Sequence, residues 1–252
     1  MTSMKLRTHY VGLVGAVALT AVSLAGCETY SAGSPRQYAV LEAADTTGAT
    51  NVNINSLSDV ISRNPGDAGA YVTRGAAYAR SGQYSDAIND FSKAIQLDPN
   101  SGSAYNNRAL AYRQTGRNDA ALQDFSKAIG NDPNFAAAYI GRANLERAQG
   151  DLGGAINDLN SAIRLAPESA EAYHARGQSL IATNQYDKAI EDYNAALNVN
   201  SKDANSWAYR GLAYEKTNRK KEAKESYTQA AQLDPNNALA KQGVSRMSGG
   251  IF

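Results

Sequence analysis

Residues that could do chemistry are scarce in this chain. Its two histidines are His9 and His174, and its one cysteine is Cys27. His9 lies in an N-terminal leader that is expected to be removed, and Cys27 is expected to be modified at the leader's end. The mature chain then keeps His174 alone and no free thiol, which excludes Cys–His catalysis and sites built from several histidines. A Ser–His–Asp triad would have to use His174, which sits among alanines with no nucleophile elbow nearby. Gly150, Gly153 and Gly154 lack the following Gly-Lys-Ser/Thr of a phosphate loop, and Asn89-Asp90 and Glu191-Asp192 lack the spacing of a calcium loop. No catalytic residue, metal-ligand set or cofactor is expected.

Charged side chains carry the one strict pattern. Arg74, Arg108, Arg142, Arg176 and Arg210 recur at one constant interval, and Asp90, Asp124, Asp158 and Asp192 follow the first four at a second, shorter one. Five free arginines would form a basic ladder for an acidic partner. Pairing of each with its aspartate in a packing seam is the favoured reading, because a guanidinium and a carboxylate match as a two-pronged hydrogen-bonded pair. Ser226 takes the fifth aspartate's place, so Arg210 is expected to find another partner such as Asp192.

The period belongs to a supersecondary unit stacked five times. In the first block Tyr71, Arg74, Gly75 and Tyr78 recur at the three- and four-residue spacing of one helix face. Gly82, Gly116, Gly150, Asn184 and Asn218 then fill a single place, where a left-handed residue ends a helix. A second helix carries Ala87, Phe91 and Ala94, a stripe repeated down to Ala223, Tyr227 and Ala230, and small residues in it let helices approach closely. Pro99, Pro133, Pro167 and Pro235 close four blocks; Ser201 stands in the fourth.

This run of aromatic, small and bulky residues followed by Ala, aromatic, Ala and Pro resembles the tetratricopeptide repeat. The resemblance implies an all-α fold, a right-handed superhelical solenoid with repeats at 68–101, 102–135, 136–169, 170–203 and 204–237. Leu57, Val60 and Pro65, standing one full period before Phe91, Ala94 and Pro99, mark 53–67 as an N-terminal half-repeat, and 238–252 reads as a C-terminal capping helix and tail. In this family the first helices line a concave groove. The residues assigned to it are Asn106, Leu110, Arg113, Ile140, Asn144, Arg147, His174, Gln178, Asn205 and Leu212, with Val72, Ala76, Glu171, Ile181 and Glu215 on the same faces. The amides suit a peptide backbone and the arginines a carboxylate. Val72 and Ala76 stand where family members that clamp a C-terminal carboxylate carry charge and amide, so that recognition is disfavoured.

The N-terminus reads as an address. Lys5 and Arg7 precede a charge-free stretch from Val11 to Ala25, the form of a secretory signal covering 1–26. Leu24-Ala25-Gly26-Cys27 resembles the bacterial lipobox, which implies cleavage before Cys27 and its acylation. Glu28, in place of the aspartate that retains lipoproteins at the inner membrane, favours the outer membrane. Residues 27–52 read as a flexible tether. The formal charge is +1, and losing the leader leaves 23 basic against 24 acidic residues, which argues against nucleic acid. The expectation is a lipid-anchored, non-enzymatic scaffold of the cell envelope, facing the periplasm, that binds a protein or peptide as a pilotin or a cell-wall-hydrolase adaptor does. A glycan binder and a self-associating structural lipoprotein are the alternatives.

Overall fold

The computed structural model describes residues 49–249, and these form twelve α-helices. The leader, the Cys27 lipobox and the tether up to residue 48 lie outside the described residues. Helix α1 spans Ala49–Arg63; the five repeats are α2 (Ala68–Arg80) with α3 (Tyr84–Leu97), α4 (Gly102–Gln114) with α5 (Asn118–Asn131), α6 (Ala136–Gln149) with α7 (Leu152–Leu165), α8 (Ala170–Ala182) with α9 (Tyr186–Val199), and α10 (Ala204–Lys216) with α11 (Lys220–Leu233). Helix α12 (Ala238–Met247) closes the stack.

Two kinds of turn set this rhythm. Within a repeat, Gly82, Gly116, Gly150, Asn184 and Asn218 adopt φ of +60° to +88°. Each puts the next residue's N–H within 2.8–2.9 Å of a carbonyl five residues back, as in Gln83 to Tyr78, which satisfies an orphan acceptor at the helix end. Between repeats the chain leaves the second helix on Asp98, Asp132, Asn200 or Asp234, whose Oδ1 accepts the N–H two residues on at 2.9–3.1 Å. This side-chain turn at Asn200 explains why the fourth block folds without its proline. Asp67, Ser101, Ser169, Asp203 and Asn237 then cap the incoming helix by accepting from a backbone N–H in its first turn.

The core is a column of second-helix stripes. Ala87, Phe91 and Ala94, and the equivalent triplets in α5, α7, α9 and α11, are fully buried or within one percent of it. Each second helix packs on the first helix of its own repeat and of the next. First helices also touch one another along the series α2, α4, α6, α8, α10 and α12, whereas no second helix touches another among the described residues. The second helices therefore fan apart on the outside, and the first helices line the inner, concave side.

The half-repeat differs from its expected register. Helix α1 begins at Ala49 rather than near residue 53, and it buries Ile54 and Ile61 while Val60 is 46% exposed. Only α2 packs on α1 among the described helices, so a position that is core in a full repeat is left at the surface.

Candidate functional site

The seam arginines pair as expected in four repeats. Nε and Nη2 of Arg74, Arg108, Arg142 and Arg176 donate to both carboxylate oxygens of Asp90, Asp124, Asp158 and Asp192 at 2.6–2.9 Å. Nη1 reaches into the preceding repeat, to Ser58, Ser92, Ser126 or Asn160, at 2.8–3.1 Å. These hydrogen bonds to aspartate hold the four guanidiniums above their already high usual value. The aspartates are buried, so the pairs are structural and no basic ladder is presented.

Arg210 corrects the expectation that Asp192 would serve it. Its Nη1 donates to Asn194 at 2.7 Å and its Nε to Ser226 at 3.3 Å, while Asp192 stays with Arg176. Burial lowers the Arg210 pKa.

On the concave side, α4, α6 and α8 bring Asn106, Leu110, Arg113, Ile140 and Asn144 around one small pocket, with Glu171 at its edge. The floor is more buried than a groove-facing set suggests: Asn106 is 1% exposed, and Leu110 and Ile140 are buried. Close approach of neighbouring first helices causes this. Asn106 Oδ1 is shut off from solvent with no hydrogen-bond partner among the described residues, whereas Arg113 and Asn144 are half-buried at the rim. The polar groups the pocket offers are therefore the Arg113 guanidinium and the Asn144 amide, with Asn106 closed off beneath them.

A second cluster lies one repeat further on. His174 Nδ1 is 2.7 Å from Ser206 Oγ, and Ser206 in turn hydrogen-bonds the Asp203 carboxylate, which also caps α10. Serine therefore sits between aspartate and histidine, through a single imidazole nitrogen. In a hydrolytic triad the histidine is in the middle. The His174 ring meets Tyr193 and Tyr209 edge-on, each at 5.6 Å between centroids. Burial pushes the imidazole below its usual range; Asp203 pulls it back and Arg147 depresses it further. Arg147 Nε and the Tyr193 hydroxyl are both buried without a partner among the described residues.

Gln178 stays on α8, half-buried, one helical turn beyond His174. Two assigned residues have structural partners instead: Leu212 packs against the α9–α11 core, and Asn205 accepts a hydrogen bond from Asn237 at 2.9 Å, so it serves the joint to α12. Sequence spacing missed Ser206, Asp203, Tyr193 and Tyr209. Only the alignment of adjacent repeats, which places Ser206 just before Ala208, the counterpart of His174 in the next repeat, points toward them.

The tetratricopeptide-repeat family profile matches residues 54–102, 72–136, 106–170 and 140–197, and related repeat profiles match 177–218 and 204–237. No curated protein sequence matches the chain. Among solved structures it is similar to YrrB, described as a tetratricopeptide-repeat protein with an unusual peptide-binding site, at 20% identity and TM-score 0.62, over 75% of this chain and 97% of that one. It is similar to MamA at 25% identity and TM-score 0.59, over 65% of this chain and 96% of that one. It is also similar to PilF of Pseudomonas aeruginosa, at 21% identity and TM-score 0.68, over 72% of this chain and 83% of that one. With the fold, the turns and the packed stripes all in this register, the chain belongs to the tetratricopeptide repeat family.

Proposed function

We propose that this protein is a lipid-anchored scaffold of a bacterial envelope that binds a peptide segment of a partner protein on its concave face. Tetratricopeptide repeats generally mediate protein–protein interaction, and the fold is typical of non-catalytic scaffolds. The observation that carries the reading is the pocket across α4, α6 and α8. The half-buried Arg113 guanidinium donates, and the half-buried Asn144 amide both donates and accepts, a set that complements the C=O and N–H groups of an extended chain. Leu110 and Ile140 add an apolar floor. Acylation at Cys27 anchors the protein at the outer membrane facing the periplasm, and the scaffold recruits its partner there, as a pilotin or a cell-wall-hydrolase adaptor does. The lipobox-like Leu24-Ala25-Gly26-Cys27 supports the anchor.

Photo-crosslinking amino acids placed at Arg113, Asn144 and Gln178, which are half-buried rather than closed off, are expected to capture a common protein in cells. Capture from these sites but not from exposed positions on the second helices supports the scaffold, and no common protein from any of the three would sink it. Cys27→Ser is expected to release the chain from the membrane fraction; unchanged membrane association would remove the lipid anchor from the proposal.

A further inference from the structure

Four seams supply their own carboxylate and the fifth does not. In the first four, Nη2 donates to an aspartate oxygen at 2.6–2.9 Å. Arg210 Nη2 has no such acceptor among the described residues, and its Nε makes only a long bond to Ser226. The guanidinium is nonetheless held in place: Nη1 is fixed by Asn194, and its flat face lies 4.2 Å from the Trp207 ring centre. It is a cation ordered for a two-pronged acceptor that its own repeat lacks.

The equivalent seam one repeat earlier lines a surface pocket. Asn160 of α7, Arg176 of α8, and Lys188 and Asp192 of α9 all border it, on second helices and the seam between them. One period further along the chain, Asn194 of α9, Arg210 of α10 and Ser226 of α11 take the corresponding places, with Arg210 half-buried and Ser226 1% exposed. The charged neighbours are Glu222, taken by Arg219 at 3.0 Å, and Glu225, which is exposed and attracts the Arg210 cation through space without hydrogen-bonding it or forming an ion pair among the described residues. Serine is shorter than aspartate by the carboxylate itself, so the missing group is the one a ligand would bring.

We infer that the fifth seam is a carboxylate-accepting site, completed by an Asp or Glu side chain of a partner protein that docks over the seam of α9, α10 and α11. The incoming carboxylate takes the place that Asp192 holds against Arg176, receiving Nε and Nη2 of Arg210, while the Ser226 hydroxyl donates to it from below. This site is separate from the concave face and does not rest on the reading of that face.

Trp207 is the only tryptophan in the chain, so its fluorescence and its indole resonance report on Arg210 directly. The full chain is titrated with acetate, and with a capped Ala-Glu-Ala tripeptide and its Ala-Gln-Ala counterpart, at ionic strength held constant with chloride. A saturable Trp207 response to acetate and to the Glu peptide, and none to the Gln peptide, is expected. Ser226→Asp fills the site from within: it is expected to melt above the parent and to lose at least about tenfold in affinity for both carboxylates. Arg210→Gln is expected to abolish the response.

A Ser226→Asp chain that titrates like the parent, or that melts below it, overturns the site. Equal responses to the Glu and Gln peptides overturn it as well. Binding of acetate without the Glu peptide overturns the protein partner and leaves a site for small free carboxylates. If Glu225→Gln creates the response where the parent has none, Glu225 closes the seam internally and the proposal fails.

Discussion

His174 is the clearest case of a residue whose chemistry is set by its surroundings rather than its type. Burial favours its neutral form, Arg147 adds to that preference, and Asp203 opposes it; Tyr193 and Tyr209 complete the contacts. Its folded pKa lies below its unfolded one, so the unfolded chain binds the extra proton first as pH falls. Stability is therefore unaffected above the ordinary histidine range, near pH 6.5, and is lost below it, at no more than about 1.4 kcal/mol per pH unit. Urea unfolding between about pH 7 and about pH 5.5 is expected to show this loss in the parent and a smaller one in His174→Gln; equal slopes would place the titrating group elsewhere. Spacing marked His174 as concave, but not that its ring would be clasped from α10, because Ser206 is distant in sequence and belongs to another repeat's cap.

At the scale of the element, most boundaries were legible because each is enforced by one residue. Asn184 and Asn218 take the left-handed turn at φ 60° in repeats where glycine is absent, and the Asp or Asn caps follow the phase of the repeat. Helix α1 was less legible. It lacks a paired second helix to impose the stripe, so Val60 could be aligned with Ala94 and yet be exposed. Helix α12 was expected as a solubilising end, but the means of its docking was not. Arg246 donates to both oxygens of Glu215 at 2.8 Å, and Tyr227 hydroxyl donates to the same carboxylate at 2.6 Å. Arg246 is 43% exposed, so screening limits the pair to roughly 1 kcal/mol or less. Arg246→Ala is expected to speed amide hydrogen exchange across α12 by up to about fivefold, with α6 to α9 unchanged; a uniform change along the chain would show that α12 is coupled to global unfolding instead.

For the whole molecule, the absence of contact between second helices among the described residues makes each repeat dependent on its neighbours alone. Native-state hydrogen exchange is expected to give the greatest protection in α5 to α8, declining toward α2 and α11, since the stack thins toward its ends. Protection that is equal throughout would mean all-or-none opening. The exchange gradient and the fold were implicit in the repeat, but the burial of Asn106 was not, because a period fixes which face a residue takes and not how closely the adjoining helix approaches. The seam arginines add a further constraint through Nη1, which in every repeat reaches a Ser or Asn at the same upstream offset, in the helix before. An arginine therefore belongs half to its own repeat and half to the one that precedes it. Recombination can lengthen or shorten such a protein only in whole periods: an insertion of half a repeat would part a guanidinium from its upstream acceptor, while a duplicated block of one full period arrives with its junctions already matched.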